Sequence, residues 1–183
     1  TPPSPYHCWL EKELAQLYEE VSPAIVSVVS YRVRATASPA ASGQGERGVA
    51  GSSFTLRRLV ASGIVVDSHG CVVVPARVAL PGDSLVVHFP GGQRVSARYK
   101  GMDPATNIAV LNLTSAGPFP FLEPPGVDEP LLPEWVAAVA YGPWRGPSPG
   151  WPTLILSQKS SIERWETKYG QSSGEMWQLH API

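Results

Sequence analysis

Four histidines, two cysteines, one arginine at the end of an apolar hairpin and a pair of tryptophans are the residues here with chemistry to offer. His7-Cys8 and His69-x-Cys71 are close pairs of metal-ligand types. Neighbours this close rarely chelate alone, and the two pairs lack zinc-motif spacing, so no metal or other cofactor is expected. Cys8 and Cys71 are too few for a disulfide scaffold. They read first as two separate buried thiols. The alternative is a Cys8–Cys71 disulfide pinning the N-terminal arm to the first barrel, which would need an oxidising compartment. Arg77 is a permanent cation that can bind an anion but cannot act as a base near neutral pH. Trp144 and Trp151 lie in a stiff, proline-rich stretch. They form either a surface loop with its rings laid on the barrel or an aromatic docking surface.

The element that must position Arg77 runs from Ala61 to Leu80. Ile64 to Val66 and Cys71 to Val74 are short β-type runs, joined by Asp67-Ser68-His69-Gly70, in which Gly70 can adopt positive φ. Around this hairpin the chain is rich in turn formers, with 20 Pro and 17 Gly in 183 residues. That composition suits short strands rather than a parallel α/β sheet. A net charge of -1 removes any electrostatic case for nucleic acid or an anionic membrane surface. No apolar run approaches the roughly 18 to 20 residues that span a bilayer. The opening Thr1-Pro-Pro-Ser-Pro5 reads as a linker, so a tether to the membrane through a segment before Thr1 is an expectation.

In chain order, Trp9 to Val21 has helical apolar spacing and is stopped by Ser22-Pro23. Ala24 to Val33 reads as a strand, Ala35 to Ala50 as an exposed mobile loop, and Ser52 to Val60 as a strand edge with Arg57 and Arg58 facing water. Strands follow at Ser84 to Phe89, Gln93 to Lys100 and Asn107 to Leu113. Six strands at this spacing predict a closed antiparallel barrel. The Pro- and Gly-rich stretch from Thr114 to Pro133 reads as an inter-barrel linker. Strands at Trp135 to Tyr141, Thr153 to Trp165 and Glu175 to Leu179 complete the reading. The expected division is an arm and helix at 1–22, a first barrel at 23–114, a linker at 115–133 and a partial second barrel at 134–183.

Five segments in this order resemble the trypsin-like serine proteases of the HtrA/DegP type. They are Leu17-Tyr-Glu-Glu-Val-Ser-Pro-Ala-Ile-Val-Ser-Val28, Ser62-Gly-Ile-Val-Val-Asp-Ser-His-Gly70, Gly101-Met-Asp-Pro-Ala-Thr-Asn-Ile-Ala-Val-Leu111, Leu132-Pro-Glu-Trp-Val-Ala-Ala-Val-Ala-Tyr-Gly142 and Met176-Trp-Gln-Leu-His-Ala-Pro-Ile183. The third is nearest to the family's Gly-x-Asp-x-x-Thr-Asp-Leu-Ala-Leu-Leu. The resemblance implies an all-β fold of two antiparallel Greek-key barrels, the second incomplete here, with a short N-terminal helix.

It also implies where a catalytic triad would sit. Arg77 stands where the family has its histidine, and Asn107 where it has its aspartate. The family's Gly-x-Ser-Gly-Gly loop would begin just after Ile183. Ser172-Ser173-Gly174 lies upstream of that place and reads as a hairpin turn. Of the histidines, only His180 is near the cleft on this resemblance. A guanidinium cannot take the serine's proton. An amide in place of the orienting carboxylate costs about ten-thousandfold in the Ser-His-Asp template. No catalytic residue is therefore expected intact. Arg77 reads either as a structural partner of a carbonyl or carboxylate, or as a binder of an anionic group.

The expected function is a non-enzymatic pseudo-protease, a scaffold or accessory subunit binding protein subunits or an extended polypeptide. The resemblance makes its compartment extracytoplasmic, periplasmic or in the cell envelope. Arg77, Trp144 and Trp151 are its binding candidates. The alternative is an active serine endopeptidase whose nucleophile follows Ile183. Open strand edges near Trp135 and Met176 point to further chain, to a cut chain, or to a partner completing the sheet.

Overall fold

The computed structural model describes residues 5–37, 52–124, 135–142, 150–166 and 172–180. A helix, α1 (Pro5–Val21), leads through a 3-10 turn at Ser22–Ala24 into the first strand. Pro23 supplies the break, as the sequence predicts. Six strands follow: β1 (Ile25–Ala37), β2 (Ser52–Val65), β3 (Cys71–Pro75), β4 (Ser84–His88), β5 (Arg94–Asp103) and β6 (Ile108–Leu113). They close into an antiparallel barrel in the order β1-β2-β3-β6-β5-β4. A second, three-stranded antiparallel sheet consists of β7 (Trp135–Ala140), β8 (Thr153–Glu166) and β9 (Ser172–His180).

The barrel interior is filled by aliphatic side chains, mostly valine. Val26, Val28, Val65, Val72, Val74, Leu85, Val87, Ala109 and Leu111 fill it. Gly63 lets β2 approach closely: a Cβ there would sit 2.8 Å from Val74 Cγ1 and 3.0 Å from Val28 Cγ2. Gly63→Ala is therefore expected to destabilise the protein by about 1–3 kcal/mol through overpacking. Urea unfolding checks this, and an unchanged midpoint would mean that the barrel yields at no cost.

Several local expectations are corrected. The strand expected at Ser52 to Val60 runs on to Val65; over Ser52 to Gly63 it pairs with β1 alone and so has an edge, as expected, and β3 joins it only at Ile64 and Val65. The β1 strand continues past Val33 to Ala37, because β2 is its partner there. Ser172-Ser173-Gly174 opens β9 instead of forming a turn, with Ser172 opposite Glu166. The first part of the expected linker is docked on the barrel. Phe119 is buried and stacks on Phe89 at 5.6 Å between ring centroids. The Phe119 and Leu122 amides donate to Ser68 and Val65 carbonyls at 3.1 and 2.9 Å. Of the two phenylalanines in this Pro/Gly stretch, Phe119 is buried against the barrel end and Phe121 is 41% exposed.

Asp83, in the Pro81-Gly82-Asp83 turn, is a buried strut. Its carboxylate accepts from Ser30 Oγ (2.9 Å), Arg32 Nε (2.8 Å), Arg32 Nη2 (2.6 Å) and the Leu80 amide (3.0 Å). The hydrogen bond from Arg32 is the main cause that holds this carboxyl below the usual carboxylate range.

Candidate functional site

The β2–β3 turn is built by Asp67, whose Oδ1 accepts the His69 and Cys71 amides, each at 2.9 Å. Those backbone donors, the Cys71 amide foremost, keep the Asp67 carboxyl low. Gly70 sits at φ +92°. Its carbonyl accepts the Leu113 amide at 2.9 Å, which ties the turn to β6. Strand β3 then pairs with β6 through Pro75 opposite Ile108. Just past that pair the chain makes a 3-10 turn at Ala76–Val78. Ala76 and Val78 are buried and Arg77 between them is exposed, so the turn aims one side chain outward.

Asn107 holds this turn from the other side. The Ala76 amide donates to the Asn107 carbonyl at 2.8 Å. Asn107 itself is left-handed at φ 56°, a conformation asparagine adopts more readily than most residues. It is prepared by Asp103, which accepts the Ala105 amide (2.9 Å) and the Thr106 hydroxyl (2.8 Å). The Asp-x-x-Thr-Asn segment thus sets Asn107 against the Arg77 turn.

The two residues line adjoining cavities. Asn107 lines one of about 600 Å³ whose walls are mainly Ile25, Ile64, Val73, Ile108 and Val139. Arg77 lines one of about 340 Å³ together with Val60, Ala61, Tyr141 and Gly142. Ser62 and Pro75 belong to both and form the shared wall. Ser62 also joins the two sheets, its Oγ accepting the Tyr141 amide at 2.8 Å. A second tie runs from the Tyr18 hydroxyl of α1 to the Pro152 carbonyl at 2.6 Å.

Among the described residues, none lining either cavity is His, Asp, Glu, Lys or Cys. The Tyr141 phenol is pushed up to about 12 by burial and stays protonated at neutral pH. Among the described residues Arg77 makes no hydrogen bond or ion pair, so its donors are free for an anion. The described walls combine apolar surface with hydroxyls, an amide and one guanidinium, groups that bind and orient a ligand.

The other candidates stand elsewhere. His69 is exposed and lines a different cavity, beside Ser115 and Gly117. His88 is buried, and burial, reinforced by Arg94 and Arg58, lowers its imidazole pKa. Cys71 is a half-buried free thiol whose pKa burial pushes up, which disfavours the reactive thiolate. The side chains of His7, Cys8 and His180 lie outside the described residues, as does all of Trp144. Trp151 is 61% exposed. Sequence reasoning missed Ser62, Tyr141 and the apolar cavity. No local sequence signal marks that cavity; Ile64 and Ile108, each 41% exposed at the end of a strand pair, meet there only in the fold.

This architecture, a closed six-stranded barrel followed by a second antiparallel sheet with a short entry helix, is the trypsin-like fold. The chain belongs to the trypsin-like peptidase domain family, whose model matches residues 61–183. Among solved structures it is similar to the HtrA-type protease AlgW with decapeptide, at TM-score 0.61 and 18% identity. That likeness covers 92% of this chain and 51% of the other, so this chain spans about half the length of AlgW's. At this identity the match speaks for the fold alone. No curated protein matches the chain.

Proposed function

We propose that this chain is a catalytically inactive, HtrA-like pseudo-protease that serves as a binding or accessory subunit and holds an extended polypeptide without cutting it. The observation that carries this reading is the guanidinium of Arg77 at the end of β3, where a protease of this fold needs a base. Asn107 at the expected carboxylate position supports it. The cleft walls supply shape, apolar surface and one uncompensated cation, which suit holding. We assign the first barrel to 23–114, the linker to 115–133 and the partial second barrel to 134–183, following the expected division. An extracytoplasmic setting and protein partners are part of the same proposal. The decapeptide belongs to AlgW, and its presence there is consistent with a polypeptide as ligand here.

The test is active-site labelling. The purified protein in its longest natural form should not react with a fluorophosphonate probe and should leave an unfolded protein substrate intact. Arg77→His alone should not create activity, because Asn107 still lacks the charge that stabilises an imidazolium. Stoichiometric labelling of the unmodified protein would establish the competing reading, an active serine endopeptidase with a rewired base.

A further inference from the structure

Strand β2 carries an open edge along its outer part. Over Ser52 to Gly63 it pairs with β1 alone, and β1 leaves β4 after Tyr31, the partner of Ser84. Past that point the two strands form a ribbon that no other described strand joins. Its two faces differ. Val33 and Leu56 are directly opposite and Phe54 is two positions from Leu56, so the three share one face. They are 64%, 63% and 70% exposed. Arg32 and Arg57 are opposite each other and Arg34 is two positions on, so these arginines share the other face. Arg32 is paired with Asp83 at 2.6 Å, whereas Arg34 and Arg57 are exposed and make no ion pair among the described residues. Neither strand contains a carboxylate.

We infer that the edge of β2 from Phe54 to Arg57 receives, as an added strand, an extended segment of a partner protein in which apolar and acidic residues alternate. This surface lies outside both cavities of the cleft, so it stands apart from the polypeptide-holding proposal.

A strand laid against this edge sends successive side chains to opposite faces. Residues opposite Phe54 and Leu56 extend the apolar face and cover its exposed surface. Residues opposite Thr55 and Arg57 fall on the arginine face, where carboxylates meet Arg57 directly and Arg34 across Thr55. The other occupants fit worse. A second copy pairing edge to edge would bring more arginines and no carboxylate, so that like charges meet. A flat lipid surface meets one face of the ribbon at a time, and cannot bury the apolar face and neutralise the arginine face together.

Fluorescence anisotropy with labelled Gly-Val-Glu-Val-Glu-Val-Glu-Val-Gly tests this. The controls are the same peptide with Lys for Glu, and Gly-Val-Val-Val-Val-Glu-Glu-Glu-Gly, which keeps composition and charge but loses the alternation. At low ionic strength the alternating Glu peptide should bind at least about tenfold more tightly than the Lys peptide, the scale of two exposed ion pairs reversed in sign. It should also bind more tightly than the unalternated peptide. Arg34→Glu combined with Arg57→Glu should invert the preference between the Glu and Lys peptides, a result that a misfolded variant cannot give. N-methylated peptides separate strand addition from charge attraction on the unmodified protein. The N–H groups of neighbouring residues face opposite edges of a strand, so methylating every Val amide or every Glu amide should differ: one set abolishes binding and the other keeps it.

Equal binding of the Glu and Lys peptides overturns the inference, as does failure of every peptide to bind or an equal response to the two methylation sets. Loss of binding in Arg77→Gln, with the double variant unaffected, would put the acidic segment in the cleft and overturns it too. So would dimers in sedimentation that Leu56→Glu removes, with no peptide bound, which make the occupant a second copy. Adsorption to phosphatidylserine vesicles with no peptide bound would make it a lipid surface, and the inference falls.

Discussion

Gly70→Ala should cost about 4 kcal/mol and be among the most damaging single changes in the barrel. Two costs add. The backbone sits at φ +92°, where a Cβ is strained by roughly 1–2 kcal/mol. The added methyl would also lie 2.8 Å from Leu113 Cβ and 3.0 Å from both Leu113 Cδ1 and Phe119 Cε2, an overpacking cost of about 1–3 kcal/mol. Relaxation is blocked, because the Gly70 amide donates to Asp67 (3.2 Å) and its carbonyl accepts from Leu113 (2.9 Å). Gly82→Ala is the control: φ is +86° there, but nothing lies within 4 Å of the new methyl. It should lose only the conformational part. Denaturant midpoints for both variants measure the difference, and equal losses would show that Leu113 and Phe119 yield freely.

Asp83→Ala should cost about 3 kcal/mol and lower the thermal midpoint by about 10 °C. The carboxylate is 3% exposed and its partner Arg32 27% exposed. Removing the acid strands a half-buried guanidinium and leaves the buried Ser30 hydroxyl without this acceptor. The partial exposure of Arg32 keeps the cost at the lower end of the range for a broken buried pair. The sign of the pH dependence follows from the lowered carboxyl pKa. Stability from the pair is fully present above the ordinary carboxylate pKa and is lost as pH falls through the lower folded value. Urea midpoints from neutral to acidic pH should therefore fall less steeply in Asp83→Ala than in the unmodified protein. Parallel curves would remove Arg32–Asp83 as a source of the acid sensitivity.

These two residues also mark how far the sequence could be read. Gly70 was legible: Asp-Ser-His-Gly between two apolar runs is a turn with glycine at the left-handed place, and it is one. Asp83 was legible only as part of a turn. Nothing local says that its carboxylate meets Arg32, 51 positions away, because that contact depends on β4 closing the barrel against β1. Phe119 was lost for the same reason. A Pro/Gly-rich stretch reads as linker until a barrel end exists for Phe119, one of its two phenylalanines, to plug.

At the site, the types of Arg77 and Asn107 are matters of sequence. A guanidinium cannot be a base whatever surrounds it, and an amide carries no charge to orient one. The bond from the Ala76 amide to the Asn107 carbonyl at 2.8 Å, which brings the two segments together, belongs to the fold. The tertiary structure alone decided what surrounds them. Ile64, Ile108 and Val139 come from three separate strands, so only their packing turns three apolar residues into one cavity wall. Ser62 is a strut between two sheets only once both sheets are in place. Chemical identity travels along the chain residue by residue, whereas cavities and buried partners are sums over distant segments, and those sums exist only after folding.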